Sequence, residues 1–183
     1  YSVEGKSLME FKSDERIALF IDGANLHSAI KALDLDIDYK KMREYFDEKA
    51  NLIRVFYYTA IIGGAVPSPI SKLVDWLDYN GYTMVTKQAK ELTNENGQKI
   101  IKGNMDVEIT IDVMEMLRYL DHIILVSGDG DFRRLIETAQ RNGKRVTVLS
   151  AAKSDPPIIA DELRRQTDYF IELDELRDSI GSK

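Results

Sequence analysis

Four aspartates carry the chemistry that this sequence could do: Asp22, Asp106, Asp129 and Asp131. Asp22 follows an unbroken apolar run, Ile17-Ala18-Leu19-Phe20-Ile21, and precedes Gly23. Asp106 follows Lys102-Gly103-Asn104-Met105 and opens a helical pattern. Asp129 and Asp131 stand in Ser127-Gly128-Asp129-Gly130-Asp131, directly after a second mainly apolar run at 122–126. Two carboxylates about 4 Å apart repel by roughly 4 kcal/mol at an effective dielectric of 20. Several gathered at one point therefore need protons or a divalent cation. With no cysteine and two histidines, the donor set is hard oxygen, which suits Mg or Mn better than zinc. Such an ion keeps water, polarises a phosphoryl oxygen and lowers a water's pKa. The expected chemistry is phosphodiester hydrolysis.

These acids can meet only if the chain places them on one edge. A continuous apolar run of strand length reads as a strand buried on both faces, the kind found inside parallel sheets. Strands are expected at 17–22, 53–59, 82–87, 122–126, 145–149 and 169–173. Helices are expected between them, at 24–33, 38–49 with Asp38 as N-cap, 71–80, 106–120, 131–142 and 174–179. Pro156 and Pro157 read as the opening of a further helix reaching about 165. The helix at 106–120 is apolar nearly all round and is expected to be largely buried. Residues 91–101 break the rhythm, and Asn96-Gly97 between two short segments signals a hairpin. Alternating strands and helices predict an α/β fold: a three-layer α/β/α sandwich around a mainly parallel sheet. Ligands then bind at the carboxyl ends of the strands, at the topological switch point. If the strands at 17–22 and 122–126 are neighbours there, the acids converge.

The 183 residues suit one domain at 15–180. The polar, aperiodic residues 1–14 read as a disordered N-terminal segment, with Met9 a candidate native start and 1–8 a vector-derived remnant. At 44% hydrophobic and 31% charged, the chain can build a core and stay soluble. No run approaches a membrane span, so no membrane partner and a cytoplasmic location are expected. The net charge of −6 argues against a general nucleic-acid coat, although cations held by an acidic site change the local sign.

Three stretches resemble the NYN domain family of the PIN-like nucleases. They are Phe20-Ile21-Asp22-Gly23-Ala24-Asn25-Leu26, Lys102-Gly103-Asn104-Met105-Asp106-Val107 and Val126-Ser127-Gly128-Asp129-Gly130-Asp131-Phe132. The resemblance covers about 16–173, with order and spacing preserved. It implies a PIN-like, Rossmann-like fold and a metal-dependent ribonuclease site acting on RNA, single-stranded by expectation. Carried over, Asp22, Asp106 and Asp129 are the main metal-binding acids and Asp131 supports them. Asn25 orients the neighbourhood of Asp22, and Ser127 contacts ligand or metal-held water.

Other residues weigh differently. Lys102, Arg133, Arg134 and Lys153 are candidate phosphate contacts near the site. Glu108, Asp112 and Glu115 read as a solvated acidic face. Gly128 and Gly130 read as backbone freedom, and Arg133 in place of a third glycine excludes a dinucleotide fingerprint. His27 and His122 lack metal-ligand spacing and read as structural or surface residues. Trp76, Tyr57 and Tyr58 read as packing. The loops at 63–69 and 91–101 are expected to flank the cleft and to bind substrate or a second subunit of a homodimer. Two other functions compete. A non-catalytic RNA-binding or regulatory module would share the fold. A haloacid-dehalogenase-like phosphohydrolase would need a general acid two residues after Asp22, where Ala24 stands.

Overall fold

The computed structural model describes residues 11–63 and 69–182. In chain order the strands are β1 (Arg16–Asp22), β2 (Asn51–Ile61), β3 (Thr83–Gln88), β4 (Lys90–Thr93), β5 (Lys99–Lys102), β6 (His122–Val126), β7 (Arg145–Ser150) and β8 (Tyr169–Glu172). Six of them form an all-parallel sheet in the order β3-β2-β1-β6-β7-β8, and β4 with β5 makes a separate antiparallel hairpin. The helices are α1 (Gly23–Ala32), α2 (Tyr39–Asp47), α3 (Pro69–Tyr79), α4 (Asp106–Met116), α5 (Arg133–Arg141), α6 (Asp161–Gln166) and α7 (Arg177–Ile180). The expected α/β sandwich is therefore present, with the direction of strand addition reversing between β1 and β6.

The apolar runs explain the layering. Residues 17 to 21 are all fully buried, because β1 feeds both cores by alternation. Ile17, Leu19 and Ile21 pack with Leu26, Met42, Phe46 and Ile180, under α1, α2 and α7. Ala18 and Phe20 pack with Ile109, Val113, Ile136 and Leu163, under α4, α5 and α6. Asp38 caps α2, its Oδ1 accepting from the Lys40 and Lys41 amides at 3.0 and 3.1 Å. In the hairpin turn, Asn94 Oδ1 accepts from the Asn96 and Gln98 amides, and Gly97 takes φ +75°. That left-handed value is the reason for glycine there.

Several expectations need correction. Helix α4 is not buried all round. Met105, Ile109, Val113 and Leu117 form one buried stripe at a spacing of four, whereas Val107 and Ile111 are 67% and 51% exposed. A helix lying on one sheet face has a single core-facing stripe, so surplus apolar residues point outward. The helix expected from Pro156 begins only at Asp161. The preceding residues fold back over β6 and β7 instead: the Ile158 amide donates to the Ala151 carbonyl, and the Ala160 amide to the Gly128 carbonyl. Trp76 is 41% exposed, and Leu77 is the buried residue of α3. Ahead of β1, the Phe11 ring stacks on His122 at 5.5 Å and meets Phe46 edge-on. The loop at 63–69 lies largely outside the described residues.

The amino edge of the sheet holds a buried charge network. His122 Nε2 sits 2.6 Å from Thr147 Oγ1, and its Nδ1 lies 3.3 Å from Glu15 Oε2. Glu15 also pairs closely with Arg145. Burial lowers the His122 pKa against the pull of Glu15. His122 is thus a structural residue, and its neighbours carry charges of both signs.

The two faces of α4 give a direct check. Ile109→Ala is expected to cost about 2–5 kcal/mol in chemical denaturation, as a cavity in a packed core does. Ile111→Ala should change stability by no more than about 0.5 kcal/mol, the usual range for a surface site.

Candidate metal centre

The carboxyl ends of β1 and β6 lie side by side, Ile21 opposite Val126. Asp22 therefore emerges next to Ser127. Asp22 caps α1 at the same edge as the other acids. Its Oδ1 accepts from the Asn25 amide at 3.4 Å and its Oδ2 from the Ser127 hydroxyl at 3.1 Å. The same hydroxyl oxygen accepts from the Asp129 amide at 3.2 Å. Asn25 Oδ1 accepts from the Gly128 amide at 2.8 Å. Two loops from distant parts of the chain are thus laced together by Asn25 and Ser127.

Above this floor, Asp106, Asp129 and Asp131 each offer a carboxylate oxygen, and the three lie within 4.8 Å of one another. Asp129 caps the short 3-10 turn at Gly130–Phe132, Oδ1 accepting from the Asp131 amide at 2.9 Å. Asp106 opens α4 and is bracketed by Asn104, which accepts from its amide at 2.7 Å and donates Nδ2 to its carboxylate at 3.2 Å. The structure thus brings Asp131, expected only in support, into the trio. Asp22, expected as a main ligand, stays outside it, buried and held by two hydrogen bonds.

The electrostatics follow from this crowding. Burial raises the Asp22 pKa, the Asn25 amide and Ser127 hydroxyl oppose it, and the charges of Asp106 and Asp129 raise it further. Burial likewise raises Asp106; its bond to Asn104 counteracts, while Asp129 and Asp131 add to the rise and Lys87 reduces it. Lys87 is itself bound to Glu108 at 3.1 Å. No cation pairs directly with the trio among the described residues. A cluster of hard oxygens of one sign fits a divalent cation with Mg-like or Mn-like preferences.

The glycines have a different reason from the one expected. Neither Gly128 nor Gly130 takes a positive φ. A Cβ on Gly128 would collide with the Ile158 carbonyl and the Ser150 hydroxyl, and one on Gly130 with the Glu162 carboxylate. Close approach of the Ile158 backbone, not backbone freedom, requires Gly128, whereas at Gly130 the obstacle is the movable end of the Glu162 side chain.

The remaining candidates divide. Lys102 is exposed on β5, and Arg133 is exposed at the start of α5. Neither has an ion-pair partner among the described residues. Arg134 and Lys153 are engaged elsewhere, by Glu137 and Glu175, both at 3.0 Å. Of the supposed acidic face, Asp112 accepts from Tyr58 Oη at 2.9 Å and Glu108 holds Lys87, so only Glu115 fits that description. Tyr57 and Tyr58 are buried packing residues. Asn104 and Lys87 escaped the sequence reading. Asn104 carried a weak signal, two residues ahead of Asp106; Lys87 carried none, because only the fold brings β3 to α4.

Fold and site together define a parallel α/β domain with a carboxylate cluster at its switch point. Sequence comparison places the chain within that class: the NYN domain matches residues 16–174, and the chain belongs to the NYN domain family. NYN domains lie within the PIN-like nuclease superfamily. The low amplitude and bright protein LabA of Synechococcus elongatus is 35% identical over 169 residues, covering 90% of this chain and 87% of that protein. An uncharacterised protein of Methanocaldococcus jannaschii is 28% identical, over 90% of this chain and 58% of its own length. A crystal structure of a protein of unknown function from Vibrio parahaemolyticus superposes with a TM-score of 0.72 at 26% identity, covering 95% of this chain and all of that one. Among the described residues, no helix is long and apolar enough to cross a membrane.

A raised carboxyl pKa means that the folded protein keeps protons the unfolded chain has released. Stability of the metal-free protein should then fall as pH rises from about 4 through the raised values of Asp22 and Asp106. Added Mn²⁺ should raise the Tm at pH 8 by at least about 2–4 °C, the equivalent of about 1 kcal/mol for a domain of this size, and by less at pH 5. Thermal scans at both pH values check this; an equal shift at both would contradict it.

Proposed function

We propose that this domain is a metal-dependent endoribonuclease that hydrolyses phosphodiester bonds of single-stranded RNA. The observation that carries the reading is the trio Asp106, Asp129 and Asp131, three carboxylates of one sign within 4.8 Å. These three would hold Mg²⁺ or Mn²⁺, with Asp22 adding its charge from the floor. A bound divalent ion supplies polarisation of the phosphoryl oxygen and acidifies water at neutral pH.

The chain's own residues do the rest. Ser127 fixes the Asp22 carboxylate and the Asp129 amide with one hydroxyl, so both acids move as a unit. Asn25 fixes the Gly128 amide and so sets where Asp129 begins. Asn104 holds Asp106 at the mouth of α4. Positioning of this kind removes reorganisation from the reacting step. Lys102 and Arg133, exposed and without acidic partners among the described residues, stand ready as phosphate contacts. The Coulomb attraction between RNA phosphates and cations held by the trio reverses the sign that the net charge alone suggests.

The test is cleavage of a labelled single-stranded RNA in Mn²⁺ or Mg²⁺. EDTA should abolish it. Asp106→Asn and Asp129→Asn should each lower turnover by about a hundredfold or more. Ser127→Ala should lower it by about 10–100-fold, as loss of a group orienting a metal ligand does. Cleavage that survives in Asp22→Asn/Asp129→Asn would show that the activity resides elsewhere.

A further inference from the structure

The β4–β5 hairpin is left over from this account. All eight of its strand residues are exposed. A two-stranded ribbon with both faces in water is marginal alone. Its register sorts the side chains. Lys90 stands opposite Lys102 and Leu92 opposite Ile100, so these four share one face. Glu91, Ile101, Thr93 and Lys99 share the other. On that second face Lys99 reaches Glu91 at 3.9 Å, and the charge is balanced. On the first, two lysines stand directly across from each other, an arrangement that destabilises a sheet pair. Neither has a carboxylate partner among the described residues. In a chain of net charge −6, an unbalanced cationic pair on a bare ribbon is a surface shaped for an anion.

The ribbon is rooted beside the carboxylates. The Ala89 amide donates to the Ile61 carbonyl at 2.8 Å, fastening the root to the carboxyl end of β2. Gly103 packs against Ala60 so closely that a Cβ there would clash. Lys102 lies four residues before Asp106, no more than about 14 Å along an extended chain.

The geometry points to the β4–β5 hairpin as a nucleic-acid-binding arm: Lys90 and Lys102 together clamp the backbone of single-stranded RNA as it leaves the carboxylate site, with Leu92 and Ile100 lying against the adjoining nucleotides. This rests on the ribonuclease reading and adds to it the path that substrate takes. A phosphate between the lysines removes the repulsion that the free hairpin carries, so RNA also stabilises the ribbon.

The test is anisotropy of a labelled single-stranded RNA of roughly 20 nucleotides, long enough to pass beyond one site. It uses the full chain with Asp129→Asn, which keeps the RNA uncut. Added Lys90→Glu/Lys102→Glu should weaken binding on the order of tenfold and flatten the slope of log affinity against log salt by about 1–1.5. Lys102→Glu alone places a carboxylate opposite Lys90. It should leave the Tm equal or higher and still weaken RNA, which separates binding from a structural role. Lys31→Glu/Lys144→Glu changes net charge equally at the amino edge and should weaken binding by less than about threefold. An equal effect from that control would overturn the arm. So would hairpin variants that bind RNA normally, or that alter only the oligomeric state in light scattering, which would assign the ribbon to a second protein chain. If the unmutated protein cuts RNA while the hairpin variants bind as it does, the arm alone falls. If the unmutated protein neither binds nor cuts RNA, the ribonuclease reading falls and takes the arm with it.

Discussion

Repulsion among carboxylates at the end of a water-excluding sheet is the constraint that organises this protein. The two edges of the same sheet deal with buried charge in opposite ways. At the amino edge Glu15 lies between Arg145 and His122, and the network balances itself. At the carboxyl edge Asp22, Asp106, Asp129 and Asp131 share one sign; Asp106 and Asp129 raise the cost of ionising Asp22, and Asp129 and Asp131 that of ionising Asp106. Lys87, which bears on Asp106, is already bound to Glu108. The amino edge thus neutralises its buried charge with the chain's own side chains, whereas the carboxyl edge leaves its acids unbalanced, the asymmetry on which the proposed metal site rests.

Holding like charges together takes a rigid frame, and the frame is visible in the packing. β1 and β6 are buried along nearly their whole length and lie directly adjacent. Their ends cannot separate without opening two cores at once. Ser127 and Asn25 then convert strand adjacency into loop registration, each making a hydrogen bond across more than a hundred residues of sequence. Gly128 lets the Ile158 backbone press onto the loop from the far side. The acids are thus braced from below and from one flank, while the mouth of α4 and the hairpin form the remaining border.

Much of this was legible in the sequence, for identifiable reasons. Unbroken apolar runs announced β1 and β6, since only a strand covered on both faces needs them. Asn96-Gly97 announced the hairpin, and Asp38 announced the start of α2, because turn and cap chemistry is local. What failed was non-local. The burial of α4 depends on which stripe meets the sheet, and apolar residues at Val107 and Ile111 gave no hint that they face outward. Pro156 and Pro157 carried a helix-start signal that backbone bonds from Ile158 and Ala160 to Ala151 and Gly128 overrode. The four acids were found by type and position. Their depth was not: Asp22 is buried while Asp131 is exposed, because depth is set by the loops around them.

An acidic protein with an anionic partner presents an apparent contradiction, and the distribution of charge resolves it. Net charge governs approach from beyond a Debye length, about 8 Å at physiological salt; inside that distance local groups decide. Many lysines and arginines are spent on neighbouring acids, as in Arg134 with Glu137, Arg141 with Glu137 and Lys153 with Glu175. Those near the carboxyl edge without such partners among the described residues are few, and they include Lys90, Lys102 and Arg133. Under the proposed function, selectivity for a polyanion would come from a small number of uncommitted cations beside a cluster that takes its own cations from solution. On the proposed ribonuclease reading, such a surface would repel anions without metal and attract them with it, tying substrate binding to the state of the site that would cut it.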